Sequence, residues 1–444
     1  MKIIASRSLY AFMVLIALIF AASYFLPAAR ALGIICDALI LVVLVVDYQI
    51  TPRPWLLTAR RDTSDRLSIG RANPVTIDIF SQAPNPLFVR VRDNHPETIT
   101  SDVEEFEFEL PAKGHSLIKY ELTPRKRGLY QFGDIHIRYR SMLGLFWRQA
   151  EVKASRQVKV YSDLRALYDL SIRLSQSSEL GELHQRKRGQ GTDFASLREY
   201  TVGDDSKAID WKATARRERP VVRTYEAEQE QRLLILIDAG RMMVSDLEGL
   251  TRFDHALNSA LCLALTGLSH NDQVGVGVFA DRPLTYLPPR RGKVYMKKIL
   301  EGLFDIEPRM VEPDYVGVLS YFASQQKGRS LIVVLTDLTD AVGSHALLAG
   351  LASLSGRHLP FCVTLKDRQI ISMSQKGVLK GPNDRSVSTD EIYQRAVATD
   401  LLVQRELALS VLQRRGCLVL DCPPQELSDR LVDSYLDIKI RGRL

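Results

Sequence analysis

Two uniformly apolar segments, each ended by an aspartate, constrain the fold of this 444-residue chain more than any other feature. Residues 233–237 read LLILI and lead to Asp238, while residues 331–336 read LIVVLT and lead to Asp337. Runs this apolar are typical of parallel strands that are covered by helices on both faces. In open α/β sheets the carboxyl ends of such strands border the ligand crevice. The sequence therefore predicts a single acidic pocket at one edge of an α/β sheet.

Strand-like and helix-like segments alternate through residues 231–444, which we interpret as one domain. This order predicts a mostly parallel, doubly wound (Rossmann-like) sheet with right-handed crossovers. We expect strands at 232–237, 274–279, 331–336, 359–364 and 417–421, with an antiparallel edge strand over 281–287. We expect helices at 252–269, 292–304, 314–326, 342–355, 388–414 and 425–437.

Residues 51–161 alternate apolar and polar positions in short runs that are separated by turn-forming residues. A period of two is the pattern of half-buried strands. Six or seven such strands predict an antiparallel β-sandwich of immunoglobulin-like type. We expect strands at 75–80, 87–93, 106–110, 117–122, 130–140 and 158–160.

Residues 162–230 connect the two predicted domains and mix charges of both signs with aromatic residues. Because a solvated linker would lack those aromatics, we expect the segment to pack against something. Two interpretations stay open: ion pairs and aromatic anchors that tie the domains together, or a docking surface for a partner. The candidate interaction residues are Arg198, Asp204, Asp205, Trp211 and Arg216, together with Arg241 in the turn after the first strand.

The first 50 residues are predicted to form two transmembrane helices, at about 8–27 and 31–48, in contact with the lipid bilayer. A cleaved signal peptide is the alternative, but the second apolar stretch favours a helical hairpin. Arginines flank the hairpin on its outer ends, from Arg53 to Arg71 on the second side. The positive-inside rule then predicts a multi-pass protein of the cell inner membrane whose β-sandwich and C-terminal domain face the cytoplasm.

Charge, cysteine content and motifs exclude several classes of function. The net charge of +7 is modest and comes partly from arginines beside the apolar helices, so we expect no nucleic-acid binding. Five cysteines without a C-x-x-C pair are typical of a reducing compartment. No Walker loop, G-x-S-x-G elbow or H-E-x-x-H motif occurs. We therefore expect no catalytic activity, no bound cofactor and no small-molecule substrate.

A longer pattern joins the connecting segment to the predicted sheet. Residues 191–205 read GTDFASLREYTVGDD, residues 209–216 read IDWKATAR, and DAGRMM follows at 238–243. This pattern resembles the family called domain of unknown function fifty-eight, whose members resemble von Willebrand factor A domains. Residues 127–138 and 143–148 resemble the β region that commonly precedes that domain. The resemblance implies a membrane-anchored protein that works with a cytoplasmic AAA+ ATPase of the MoxR class, in the assembly or maturation of protein complexes.

The resemblance also raises the question of a metal site. Von Willebrand A sites use an Asp-x-Ser-x-Ser loop, a threonine from a later loop and a further aspartate. Asp238 and Asp337 match the two acids, but Gly240 and Met242 stand at the serine positions, and Asp314 lies near the threonine position. Because Mg²⁺ requires near-octahedral oxygen ligation, the missing hydroxyls predict a degenerate, empty site.

Two functions are compatible with these residues. The favoured one is an interaction scaffold, in which the Asp238/Asp337 rim and residues 186–228 engage the ATPase or its client. Arg241 would then neutralise the acidic pocket without a cation. The alternative is a metal-dependent hydrolase in which Asp238 and Asp337 hold a metal-bound water, with His255 or His270 as the base.

Overall fold

The computed structural model describes residues 2–22, 24–179, 188–201, 204, 206–217, 219–226, 231–338, 341–375 and 389–441. The chain divides into two compact units, Met1–Asp163 and Leu164–Leu444.

The first unit contains two apolar helices and short strands. In chain order these are β1 (Lys2–Ala5), α1 (Arg7–Ala22), α2 (Pro27–Ile50), β2 (Leu57–Asp62), β3 (Arg66–Ser68), β4 (Asn73–Ser81), β5 (Leu87–Asp93), β6 (Ile99–Ser101), β7 (Phe106–Leu110), β8 (His115–Pro124), β9 (Gly128–Phe132), β10 (Ile135–Arg140), β11 (Phe146–Val152) and β12 (Arg156–Tyr161). The strand orders of its three sheets are β1-β11-β10-β5-β7, β2-β4-β8-β6 and β3-β12-β9. The strands pair antiparallel except β3 with β12, which pair parallel.

The predicted strands 87–93 and 106–110 coincide with β5 and β7. The single strand predicted over 130–140 is wrong, because β9 and β10 lie in different sheets. The break falls at Gly133 and Asp134. The amide of Gly133 donates to the carbonyl of Asn94 at 2.7 Å, and the carboxylate of Asp134 accepts from the amides of Ala154 and Ser155. These contacts turn the chain from one sheet to the next.

The two helices of the first unit differ in their ability to cross a membrane. Helix α1 has 16 residues and is about 24 Å long, which is shorter than a hydrocarbon core of about 30 Å. Helix α2 has 24 residues and belongs to the stretch Pro27–Leu56, which contains an 18-residue window with a mean hydropathy of 2.5. By length and composition it is the one helix in the described part of the chain that meets the requirement for a span. Crossing by both helices stays a prediction.

The second unit alternates helices and strands. Its elements are α3 (Leu164–Glu179), β13 (Arg188–Glu199), α4 (Trp211–Arg217), β14 (Val221–Glu226), β15 (Arg232–Asp238), β16 (Asp246–Leu247), β17 (Leu250–Thr251), α5 (Arg252–Ser269), β18 (Gln273–Phe279), β19 (Pro283–Arg290), α6 (Tyr295–Leu303), α7 (Tyr315–Ser324), β20 (Leu331–Thr336), α8 (Ala341–Leu354), β21 (Leu359–Leu365), α9 (Arg368–Gln375), α10 (Thr389–Arg414), β22 (Leu418–Cys422) and α11 (Pro424–Ile440).

Six of these strands form one sheet in the order β19-β18-β15-β20-β21-β22. All neighbours pair parallel except the edge strand β19, which is antiparallel to β18. One face packs against α5, α6 and α11, and the other against α7, α8 and the end of α10, because successive strand residues point to opposite faces. The predicted α/β architecture with helices on both faces is confirmed for this unit, including the antiparallel edge strand.

The strand order places a crevice beside the two aspartates. The chain runs outward in one direction from β15 through β18 to β19, and in the other direction from β20 through β21 to β22. The order therefore reverses between β15 and β20, which is where ligands bind in sheets of this kind. Asp238 is the last residue of β15, and Asp337 follows the last residue of β20.

Candidate functional site

Asp238 is fully buried, and protein groups already occupy both of its carboxylate oxygens. Oδ2 accepts hydrogen bonds from the Thr336 hydroxyl at 2.6 Å and the Tyr315 hydroxyl at 2.7 Å, and Oδ1 accepts from the Gly240 amide at 2.7 Å. Burial raises the pKa of Asp238, although these hydrogen bonds act in the opposite direction. Burial and the nearby Asp238 also raise the pKa of Tyr315. Asp238 is thus part of the sheet's interior.

Asp337 is also buried, but it is neutralised by arginines. Its Oδ1 accepts from Arg405 Nη1 at 2.7 Å and from the Leu338 amide at 2.8 Å. Its other oxygen, Oδ2, accepts from Arg252. The counter-charge for this carboxylate therefore comes from Arg252 and Arg405, two residues that the sequence analysis did not name, whereas Arg241 was expected to supply it.

The two arginines extend the contact into a network that we call the arginine–aspartate cluster: Arg252, Asp337, Asp367, Arg405 and Asp421. Arg252 Nη2 donates to Asp367 Oδ2 at 2.9 Å, and Arg405 Nη2 donates to Asp421 Oδ1 at 2.8 Å. Burial lowers the pKa of Arg252, while Asp367 opposes that effect. Because buried charges are tolerated only when paired, the cluster fixes α5 and α10 to the carboxyl ends of the strands.

The predicted single acidic pocket is wrong. Ile237 pairs with Leu335 in the sheet, so Asp238 aligns with Thr336 and Asp337 lies one residue further along. Because side chains alternate between faces, Asp238 contacts Tyr315 of α7, whereas Asp337 contacts Arg252 of α5. Each carboxylate has its own set of donors.

The third predicted metal ligand, Asp314, is exposed and serves as the N-cap of α7. Its Oδ1 accepts a hydrogen bond from the Gly317 amide at 2.9 Å. A Cβ atom on Gly240 would lie 2.4 Å from the ring of Pro313 and 3.0 Å from the Val311 carbonyl, so the serine position of a metal loop is sterically filled. Among the described residues, no group of three or more His, Cys, Asp or Glu side chains is placed to hold a metal ion. The empty site stays a prediction.

Arg241 lies on the surface, where its Nε pairs with the carboxylate of Glu312. The Arg241 amide donates to the Val311 carbonyl at 2.9 Å, and the Arg309 amide donates to the Ala239 carbonyl at 2.7 Å. The loop before α7 therefore lies directly against the turn after β15. An open groove of 690 Å³ borders this loop, between residues 282–285 and 305–309, and its walls carry charges of both signs.

The connecting segment forms a separate ribbon in which β13 pairs antiparallel with β14. At the end of β13, Arg198 and Asp204 form a bidentate pair with N–O distances of 2.7 and 2.5 Å. Thr201 donates to the same carboxylate through its amide and its hydroxyl. The hydrogen bonds from Arg198 are the main reason why the pKa of Asp204 is lowered. Asp205 lies outside the described residues.

Helix α4 begins at Trp211 and is capped by Asp210. The Asp210 carboxylate accepts from the amides of Lys212 at 3.0 Å and Ala213 at 3.1 Å. The Trp211 side chain is 70% exposed, and Arg216 on the same helix is exposed as well. Trp211 is therefore not an anchor buried among the described residues, whereas its exposure is compatible with the docking surface that was the other interpretation of this segment.

Comparison with known proteins gives one family and several distant relatives. Residues 196–399 match the family described as "Protein of unknown function DUF58". The chain is 20% identical to Uncharacterized protein Rv1480 of Mycobacterium tuberculosis, over 43% of this chain and 59% of that protein. It is 27% identical to Uncharacterized protein YeaD of Bacillus subtilis, over 40% of this chain and 47% of that protein. The match thus spans less than two thirds of the length of these relatives.

Among solved structures, the conserved hypothetical protein BatB from Bacteroides thetaiotaomicron is similar over 48% of this chain and 99% of that chain. The identity is 15% and the TM-score is 0.30. The family match over residues 196–399 confirms the resemblance to this domain that was stated from the sequence.

Proposed function

We propose that this chain is a membrane-anchored scaffold that binds a MoxR-class AAA+ ATPase through its second unit. The second unit is in this proposal a von Willebrand factor A-like domain that has exchanged metal binding for protein recognition. It is neither an enzyme nor dependent on a cofactor, and it acts in the assembly or maturation of protein complexes. The strand order with an antiparallel edge strand supports the von Willebrand assignment.

The hydrogen bonds of the two aspartates support a role in protein recognition over a role in catalysis. A metal-dependent hydrolase requires carboxylate oxygens that are open to a metal ion and its water. Asp238 accepts three hydrogen bonds from protein donors, and Asp337 accepts bonds from two arginines and an amide. Both carboxylates therefore have a structural role, in which they stabilise the carboxyl edge of the sheet.

The exposure of Trp211 is the observation that carries the proposal. A tryptophan with most of its surface in water is costly, and such residues dominate the binding energy of protein interfaces. Its position is fixed by the Asp210 cap of α4, and the Arg198–Asp204 pair orders the preceding turn. An ordered exposed indole among charged residues is the arrangement of an interface anchor.

The test measures the affinity of the full-length protein, in detergent, for the MoxR-class ATPase from the same organism. The measurement is made without nucleotide, with ADP and with a non-hydrolysable ATP analogue. Trp211→Ala should weaken the complex by at least tenfold, because a central tryptophan contributes about 2 kcal/mol or more. Tyr393→Ala is the matched control, since Tyr393 is 71% exposed in the same unit. No association in any nucleotide state, or equal effects of the two variants, would reject the proposal.

We also propose that both units lie on the cytoplasmic side of the inner membrane, with α1 and α2 crossing it as a hairpin. The exposed Arg7 and Arg53 flank the two helices on the same side of such a hairpin, which supports that orientation. Fusions of fluorescent and phosphatase reporters to the C-terminus test it. Activity of a periplasmic phosphatase in such a fusion would overturn this orientation.

A further inference from the structure

One turn of the first unit holds the ends of both apolar helices. We call residues Ser141–Leu145, between β10 and β11, the helix-end turn. The Ser6 hydroxyl, just before α1, donates to the Gly144 carbonyl at 2.7 Å. The Leu143 amide donates to the carboxylate of Asp47, in the last turn of α2, at 2.8 Å. The helix-end turn is therefore fixed at the level where α1 begins and α2 ends.

A buried arginine reinforces this junction from β11. Arg148 is only 1% exposed, and its guanidinium donates to the carbonyls of Tyr48 at 2.8 Å, Thr51 at 2.9 Å and Pro52 at 3.1 Å. It also lies 4.2 Å from the centre of the Tyr48 ring. Helix α2 meets the length and composition requirement for a membrane span, and in the hairpin of the proposed function its fixed end would place the helix-end turn at the membrane surface.

Several side chains exposed at this level are apolar, aromatic or cationic. Leu143 in the helix-end turn is 52% exposed, and Trp55, five residues beyond α2, is 66% exposed. The Arg53 guanidinium lies over the Trp55 ring at 5.0 Å. Arg140 is exposed too, and its guanidinium lies against Gly144, where a Cβ would be 2.6 Å from it. Neither arginine forms an ion pair with a residue that the structure describes.

We propose that this end of the first unit is a binding site for anionic phospholipid headgroups. Leu143 and Trp55 insert at the level of the headgroups, and Arg53 and Arg140 bind the phosphates. Tryptophan and arginine beside an apolar helix are the residues that bilayer interfaces favour, and each cation near an anionic surface adds attraction. The site rests on the membrane anchoring in the proposed function, but it adds lipid selectivity and a fixed orientation of the first unit.

The depth of Trp55 is measured with the full-length protein carrying Trp147→Phe and Trp211→Phe, which leaves Trp55 as its one tryptophan. The protein is placed in nanodiscs of phosphatidylcholine, with or without phosphatidylglycerol. Lipids brominated near the headgroup should quench Trp55 fluorescence more strongly than lipids brominated near the chain end. Absence of quenching in protein that remains in the nanodiscs would overturn the proposal while leaving the membrane anchor intact.

Lipid selectivity is measured by mass spectrometry of the phospholipid retained after purification in detergent. Phosphatidylglycerol should be enriched over phosphatidylcholine, and Arg53→Gln and Arg140→Gln should each reduce the enrichment about fivefold. Lysine at either position should restore most of it, which separates a loss of charge from a folding defect. The control is Arg125→Gln with Lys126→Gln, two exposed cations that follow β8 at the far end of its sheet from Leu57.

Equal enrichment in the glutamine variants and the control would reject the anionic-lipid site. A chain that does not enter nanodiscs at all would reject the membrane anchor of the proposed function, and this site with it.

Discussion

The hydroxyl of Thr336 donates a hydrogen bond to the carboxylate of Asp238 at 2.6 Å, across the two strands where the sheet order reverses. The position that is open for ligands in many α/β sheets is thus closed here by a contact inside the sheet. The next residue, Asp337, contacts arginines on the other side of the sheet. A partner could instead contact the exposed surface beside this edge of the sheet. That surface includes Arg241, Glu312 and the neighbouring groove.

The first prediction concerns the pH dependence of stability that Asp238 confers. Burial raises its pKa above 3.8, so the folded chain binds this proton more tightly than the unfolded chain. The resulting stabilisation is complete below the unfolded pKa and is lost as the pH rises through the folded pKa. Asp238→Asn cannot titrate. Relative to this variant, the wild type should therefore lose stability as the pH rises from about 4 towards neutrality.

Denaturant unfolding of both proteins in detergent, followed by tryptophan fluorescence over this pH range, measures the effect. A wild type that gains stability relative to Asp238→Asn with rising pH would show that the hydrogen bonds outweigh burial.

The second prediction concerns the arginine–aspartate cluster. Arg405→Ala removes donors from the buried Asp337 and from Asp421, so it should lower the free energy of unfolding by about 3–5 kcal/mol. The double variant Arg405→Ala/Asp337→Ala should lose less than the sum of the two single losses, because no buried carboxylate is left at position 337. Arg415→Ala, at an exposed position just after α10, should change stability by less than about 0.5 kcal/mol. Additive losses would contradict a direct interaction.

The third prediction concerns the degenerate metal loop. Gly240→Ser restores one hydroxyl of the loop, but its Cβ would meet Pro313 and the Val311 carbonyl. We expect the variant to lose about 1–3 kcal/mol of stability without gaining a metal site. Calorimetry with Mg²⁺ and Mn²⁺ should show no tight binding by the wild type or by Gly240→Ser. A micromolar site that Asp238→Ala abolishes would contradict both this prediction and the expectation of an empty site.

Local sequence patterns were sufficient to predict the strands of the sheet and the helices that pack on it. They were not sufficient to predict the side-chain contacts at the edge of the sheet. The apolar run 331–336 coincides with β20, and α5 has the predicted bounds 252–269, with a capping box between Thr251 and Asp254 at its start. The donors to Asp337, in contrast, lie 85 and 68 residues away along the chain. Nothing in the sequence near Arg405 distinguishes it from the other charges of α10. Such pairs depend on how the helices dock, which hydrophobic periodicity does not specify.

The last prediction concerns the junction between α2 and the β-sheets. Arg148 supplies the donors for three carbonyls at the end of α2, and hydrogen bonds to a charged donor contribute about 1.5–3 kcal/mol each. Arg148→Ala should therefore free this end of the helix. Hydrogen exchange followed by mass spectrometry should show faster exchange at Thr51 and Leu56, whose amides are hydrogen-bonded in the intact junction. Arg92→Ala, at an exposed position on β5, serves as the control. Equal exchange rates in the two variants would mean that the hydrogen bonds of Asp47 and Ser6 hold the junction without Arg148.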